Sequence, residues 1–310
     1  MPTPIIIDCD PGHDDVFAIW LAAGNPSIDL RAITTVSGNG YLEHTTTNAR
    51  IACTVAGISD VPIAAGADRP LVREVRTAPH IHGENALGGP VLPEPTVPLD
   101  GRSAVQLIAD TLAASEETVV LVPTGPLTNI ALLLQEHPEV TAKIRSIVWM
   151  GGSTARGNRV PYAEFNAWAD PEAADLVVRS GIPFTMVGLN ITHQALITPQ
   201  VIERVKAIGN ETSAFGVELL EFFCSTYLAS YRMAQGPLHD PVAVALVADP
   251  AVAETVFSRL DIETTGTETA GATSVDLLDQ LRREPNATIA MTLDADRFWD
   301  LVVDAVATLK

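Results

Sequence analysis

The chain has 310 residues, 47% of them hydrophobic, which is ample for a sizeable core and fits one large α/β domain or two smaller ones. The formal net charge is −19, and Lys143, Lys206 and Lys310 are the only lysines, so no basic patch can be assembled for a nucleic-acid polymer and an anionic membrane would repel the chain. Three widely spaced cysteines point to a reducing compartment, and neither a basic leader nor an apolar run of the ~20 residues a membrane span needs is present, so the expectation is a cytoplasmic protein acting on a neutral small molecule.

Ile5, Ile6 and Ile7 read as a buried strand, and Pro11-Gly12 as a sharp turn. Val16, Ile19, Trp20 and Leu21 resume at helical spacing, with Gly24 placed as the helix C-cap. Residues 30–36 form a second strand ending in Ser37-Gly38-Asn39-Gly40. A helix over about 44–56 and a short strand at 61–65 follow. The segment 66–100 is rich in proline and glycine and holds His80, Ile81, His82 and Gly83. So long a loop inside a compact domain reads as a mobile active-site loop or as a disordered excursion. Ser103 to Gln106 is a capping box. A strand at 118–122 runs into Pro123-Thr124-Gly125, then a helix reaches about His137. A strand at 146–150 leads into a polar loop that ends near Asn166. Asp170-Pro171 starts a helix, with aspartate as N-cap and proline at the first helical position. Residues 184–187 form a further strand, and 199–208 and 212–233 form helices. Strand-like runs near Ile262 and at 287–293 precede a closing amphipathic helix at 294–309. This alternation predicts an α/β fold, with an open, mainly parallel sheet flanked by helices, Rossmann-like, in a single domain over 1–310. Ligands of such sheets bind beyond the carboxyl ends of the strands, where the unusual residues of this chain gather.

Asp8, Asp10, Asp14 and Asp15 lie between a strand end and the first turn of a helix. Carboxylates there gain from the helix dipole, but four so close repel one another. A bound cation relieves the repulsion, and oxygen-only ligands point to Ca²⁺ or Mg²⁺ rather than zinc. The alternative is one aspartate capping the helix and three solvated. Asp240, beside His239 at another loop-to-helix junction, either completes a cation site or caps its helix as Asp170 does. Asn158, Glu164 and Asn166 surround Phe165 and suit sugar hydroxyls or a solvated loop. Phe223, Tyr227 and Tyr231 recur at i, i+4 and i+8 on one helix face, as core or as pocket wall.

The stretch Asp8-Cys9-Asp10-Pro11-Gly12-His13-Asp14-Asp15 resembles the N-terminal signature of the inosine/uridine-preferring nucleoside hydrolases. Ser37-Gly38-Asn39, His82-Gly83, Pro123 to Asn129, Met150-Gly151-Gly152, Ala163 to Asn166 and His239-Asp240-Pro241 resemble further motifs of that family, in its order. The resemblance implies the nucleoside hydrolase fold and one Ca²⁺ at the pocket floor, held by the carboxylates of Asp10, Asp15 and Asp240 and the carbonyl of Thr124. It implies that Asp14 and Asn39 hold the 2′- and 3′-hydroxyls, that Asn158, Glu164 and Asn166 hold the 5′ side and the 3′-hydroxyl, and that Met150 lies under the sugar. Asp10 is then the general base and His239 the general acid, with His82 reaching in from the loop and Tyr227 and Tyr231 closing over the base. The implied reaction is hydrolysis of the N-glycosidic bond of uridine, cytidine or inosine, through an oxocarbenium-like transition state and a metal-bound water. Nucleoside salvage or catabolism by a homodimer or homotetramer is also implied. Ala86 departs from the family pattern, where glycine is more usual. A ribose- or nucleoside-binding protein without catalysis is one alternative. A haloacid-dehalogenase-like phosphatase is another; Gly12 and the scarcity of lysine argue against it.

Overall fold

The computed structural model describes residues 1–310. In chain order its elements are β1 (Thr3–Cys9), α1 (His13–Gly24), β2 (Ile28–Thr35), α2 (Leu42–Ala56), β3 (Ile63–Ala65), α3 (Pro79–His82), α4 (Ala104–Ala114), β4 (Val119–Pro123), α5 (Thr128–Glu136), β5 (Ile144–Met150) and α6 (Phe165–Ala169). Then come α7 (Pro171–Val178), β6 (Phe184–Val187), α8 (Leu189–Thr192), α9 (Pro199–Ile208), α10 (Glu211–Tyr231), α11 (Pro241–Ala248), β7 (Ala253–Ile262), β8 (Thr273–Asp276), β9 (Ala287–Leu293) and α12 (Ala295–Ala307). No helix is long and apolar enough to cross a membrane.

Nine strands form one sheet in the order β3-β2-β1-β4-β5-β6-β9-β7-β8. From β3 to β9 all neighbours are parallel, whereas β7 runs antiparallel to both β9 and β8. The order β3-β2-β1-β4-β5-β6 is that of a doubly wound sheet, with its switch point between β1 and β4. The pleat alternates side chains between two cores. Ile5, Ile7 and Cys9 of β1 join the core under α1, α2, α10, α11 and α12, and Ile6 joins the core under α4, α5 and α7. Each such isoleucine stabilises the fold by roughly 1.5–3 kcal/mol through burial. Helix α1 is buried from His13 to Ala22, so it reads as apolar all round rather than amphipathic.

Several local expectations are corrected. Gly24 is the last helical residue rather than a left-handed cap, and Asn25 beyond it is extended. Glycine is required there because a Cβ would lie 2.3 Å from the Ala305 carbonyl oxygen of α12. Ser103 does cap α4 by accepting the Gln106 N–H, but the other half of the box is not made; the Gln106 side chain donates to Asp110 instead. Strand β8 was not foreseen, because an edge strand of four half-exposed residues carries no apolar signal. The segment 66–100 follows an anchored path. Asn129 Oδ1 accepts the Ala67 N–H, Asp170 Oδ2 accepts the Leu71 N–H, Arg73 pairs with Glu172, and Arg50 Nε donates to the Val97 carbonyl. Ala86 within it takes φ 61°, the left-handed backbone that favours glycine.

Candidate active site

The pocket opens at the carboxyl end of the sheet, beside the switch point. The space left open between its lining side chains is about 50 Å³. Asp14, Asn39, His82, Thr124, Met150, Asn158, Glu164, Asn166, Tyr227, Tyr231, His239 and Asp240 all line it, together with His80, Ile81, Arg159, Phe165 and Phe223. Asp10 and Asp15 lie fully buried and are not among its lining residues.

Each carboxylate has a distinct place. Asp8 faces away into a structural network, accepting from Thr34 Oγ1 at 2.6 Å and Asn129 Nδ2 at 2.7 Å. It is therefore no part of the acidic cluster the sequence pattern implied. Asp10 Oδ2 accepts the Asn39 N–H at 2.7 Å. Asp15 reaches back to the Gly12 N–H at 3.0 Å and so caps α1, while also accepting from Thr124 Oγ1 and Asn39 Nδ2. Carboxylate oxygens of Asp14, Asp15 and Asp240 lie within 4.8 Å of one another. Asp14 thus joins Asp15 and Asp240 in this group, and Asp10 adjoins it closely enough that Asp15 and Asp14 add to the rise of its carboxyl.

Asp240 is not a helix cap. It makes no capping hydrogen bond, and its backbone is already helical at φ −64° and ψ −39°. Burial pushes the Asp14 carboxyl up to about 8, and Asp15 adds to the shift. Burial first, then the neighbouring carboxylates, likewise raises Asp10 and Asp240 well above the usual range. Asp10 Oδ1 and Asp14 Oδ1 are buried without any hydrogen-bond partner, and no lysine or arginine stands against the cluster. Converging oxygens with orphaned lone pairs fit a hard cation and fit no packing role.

Glu164 and Asn166 are buried and Asn158 is half-buried, so the three do not form a solvated loop. Glu164 caps α6, accepting from the N–H groups of Gly152, Asn166 and Ala167, and burial still raises its carboxyl to about 7. Asn166 Nδ2 donates to the carbonyls of Thr124 at 2.8 Å and Met150 at 3.0 Å, tying the ends of β4 and β5 to α6. Asn158 Oδ1 accepts the Phe165 N–H, and its carbonyl accepts from Tyr231 OH at 3.3 Å.

His239 has both ring nitrogens engaged, Nδ1 with Thr192 Oγ1 and Nε2 with Tyr227 OH, each at 2.7 Å. Burial lowers both His239 and His82 well below the usual imidazole range. Tyr227 is therefore pocket wall and hydrogen-bond partner at once. His13 escaped the sequence reading. Its ring contacts His82, 69 positions away, and burial lowers its pKa to about 4. Asn48 was also missed; its Nδ2 donates to the carbonyls of Pro11 and Asn85, joining the signature turn to the long loop. No local pattern announces contacts of such sequence separation.

An open doubly wound sheet with a buried acidic pocket at its switch point defines an α/β enzyme for a small ligand. Residues 5–300 match the family model described as inosine-uridine preferring nucleoside hydrolase. The chain is 48% identical over 308 residues to the inosine-uridine preferring nucleoside hydrolase of Leishmania major, covering 99% of this chain and 98% of that protein. It is 45% identical over 305 residues to the pyrimidine-specific ribonucleoside hydrolase RihA of Escherichia coli, covering 98% of each. The solved purine-preferring ribonucleoside hydrolase from Gardnerella vaginalis superposes with a TM-score of 0.91 at 31% identity, over 98% of each chain. The chain belongs to the nucleoside hydrolase family, enzymes that hydrolyse ribonucleosides to base and ribose. The phosphatase alternative ends with that assignment.

Proposed function

We propose that the protein is a Ca²⁺-dependent hydrolase of uridine-, cytidine- and inosine-type ribonucleosides. The observation that carries this reading is the convergence of buried carboxylates, with no basic partner, at a pocket walled by amides, histidines and tyrosines. Asp10, Asp15, Asp240 and the Thr124 carbonyl would hold the ion, with Asp14 beside them. Bound there, Ca²⁺ supplies Lewis acidity toward a water and a grip on a ribose diol.

The chain's own groups carry the remaining steps. Asp10 would withdraw the proton from water; its Oδ2 is anchored by Asn39 and its Oδ1 is free, so the base is held in one orientation. Asp14 and Asn39 would take the 2′- and 3′-hydroxyls, Asn158, Glu164 and Asn166 the 5′ side and the 3′-hydroxyl, and Met150 the underside of the ring. The carboxylates stabilise positive charge developing on the ribose as the bond to the base breaks. One proton leaves the water and one joins the departing nitrogen, so the products are neutral base and ribose. His239 is the proposed donor, acting through its Nε2 partner Tyr227. Tyr227 and Tyr231 would close over the base. No tryptophan lines the pocket, which disfavours a site that relies on stacking alone to hold purines. The segment 66–100 covers the pocket through His80, Ile81 and His82 and would move to admit substrate. A cytoplasmic homodimer or homotetramer in nucleoside salvage completes the reading, and light scattering tests its oligomeric part.

Release of free base and ribose from uridine, cytidine, inosine and adenosine, with Ca²⁺ and after chelation, tests the whole. Metal-dependent hydrolysis supports it and ranks the bases. Bound nucleoside without hydrolysis would return the chain to the binding-protein alternative. Asp10→Asn is expected to lower kcat by ~10²–10⁴-fold. Retention of more than about a tenth of wild-type kcat removes Asp10 as the base, since that loss lies below the range usual for acid–base groups.

A further inference from the structure

Two arginines tie segment 66–100 to the body of the protein just before it covers the pocket, and they hold it differently. Arg73 is fixed. Its Nε and Nη2 grip the Glu172 carboxylate of α7 at 2.8 to 3.1 Å, and Nη2 also donates to the Thr264 carbonyl at 2.8 Å. Such a two-pronged ion pair is strong and directional. Arg76, three residues on, makes no ion pair. Its guanidinium carbon lies 3.8 Å from the centroid of the Trp168 ring, and its Nη1 donates to the Trp168 carbonyl at 3.1 Å. A cation over a ring face is a weaker and less directional hold, and parting it strands no carboxylate. Next, the Ala78 N–H donates to the Asn39 carbonyl at 3.0 Å, and His80, Ile81 and His82 follow as pocket wall.

The ring that takes Arg76 is mounted on the site itself. Trp168 belongs to α6, which is capped by Glu164 and carries Phe165 and Asn166 into the pocket wall. The Phe165 and Trp168 rings lie 6.3 Å apart between centroids. The mount is rigid, because the backbone of residue 271 packs so close that a Cβ there would lie 2.6 Å from Trp168 Cα. Arg159, which lines the pocket from the polar loop after β5, lies 5.0 Å from the same ring. The two guanidiniums share one ring and repel each other, which keeps the hold of Arg76 short of a permanent lock.

We propose that Arg76 and Trp168 form a clasp that holds residues 76–89 down over the bound nucleoside and parts to let them lift, with Arg73 as the fixed end of the strap. Both are positioning residues. Neither lines the pocket, and they act through His80, Ile81 and His82, which do. The inference rests on the proposed function for its ligand, while the hold on the segment is measured without one.

Amide hydrogen exchange of the metal-free full chain, read by mass spectrometry, measures the hold directly. Arg76→Met keeps the stem and removes the cation with its donors; Trp168→Leu removes the ring and Trp168→Tyr retains one. Exchange across 76–89 is expected to speed about 3- to 10-fold in Arg76→Met and Trp168→Leu and to return toward wild type in Trp168→Tyr, with β1 and β4 unchanged. Unchanged exchange across 76–89 in Arg76→Met overturns the clasp. So does an equal rise in β1 and β4, the mark of general destabilisation. Should Trp168→Leu fail to fold, Arg76→Met decides alone. On the best-hydrolysed nucleoside, Arg76→Met is expected to raise KM about 3- to 10-fold with kcat within about 3-fold. An unchanged KM, or a loss confined to kcat, overturns the positioning role. If no nucleoside is hydrolysed, the functional reading fails while the exchange measurement still decides this one.

Discussion

Asp170-Pro171 and Asp240-Pro241 are the same dipeptide, each aspartate buried and each opening a helix. Asp170 is saturated. Its Oδ1 accepts the Ala173 N–H at 3.1 Å, and its Oδ2 accepts the Leu71 N–H at 2.9 Å and Thr128 Oγ1 at 2.7 Å. Asp240 has no capping bond and converges instead on Asp14 and Asp15. A buried carboxylate with its hydrogen bonds made holds a structure together. One left facing other carboxylates weakens the empty fold and is accounted for by what it binds.

The comparison is broken most sharply by exchanging each aspartate for asparagine. Asp240→Asn is expected to lower kcat/KM on the order of 10²–10³-fold, while the metal-free melting temperature holds or rises because a repelling charge is gone. Asp170→Asn is expected to do the reverse. It should cost about 2–4 kcal/mol of stability through lost acceptors and leave kcat of the folded enzyme within a few-fold. Comparable loss of activity in both variants would erase the distinction.

The pH dependence sharpens it further. Burial raises Asp14 to about 8 and Glu164 to about 7, above their usual values of 3.8 and 4.5. Between those limits the folded state binds more protons than the unfolded one. The stability these groups contribute is present below about pH 4 and is lost as pH rises through 7 to 8. Metal-free protein should therefore melt lower at pH 8 than at pH 5. Calcium binds the ionised carboxylates, so its stabilisation grows in the opposite direction. At about a hundredfold excess over Kd it is worth about 2.7 kcal/mol, or about 4 °C at pH 8 for a chain of 310 residues, with a smaller gain at pH 5. A calcium shift independent of pH in scanning calorimetry would remove the carboxylates as its site. The smallest effect calibrates the cap alone: Ser103→Ala on α4 is expected to cost about 1 kcal/mol without touching kinetics, so any larger loss in Asp170→Asn belongs to Leu71 and Thr128.

Much was legible in the chain itself. Runs such as Val119 to Val122 fill both faces of a covered sheet, and that pattern survives any detail of packing. The signature around Asp10 to Asp15 and the motifs after the other strands indicated the pocket residues in advance, and those lining it do meet in one cavity. Caps at Ser103 and Asp170 follow local rules that span three residues.

What the sequence by itself determined was the order of strands and helices and the type of residue delivered to each strand end. Tertiary structure alone decided which of two identical Asp-Pro pairs meets other carboxylates, that Asp8 turns away from them, and that His13 packs against His82. Those outcomes depend on the parallel pairing of β1 with β4, which brings the loops after them side by side, and on the docking of α10 and the long loop above. Propensities and caps act across a few neighbouring residues, whereas whether a buried charge is satisfied depends on groups that the fold brings from tens to hundreds of positions away.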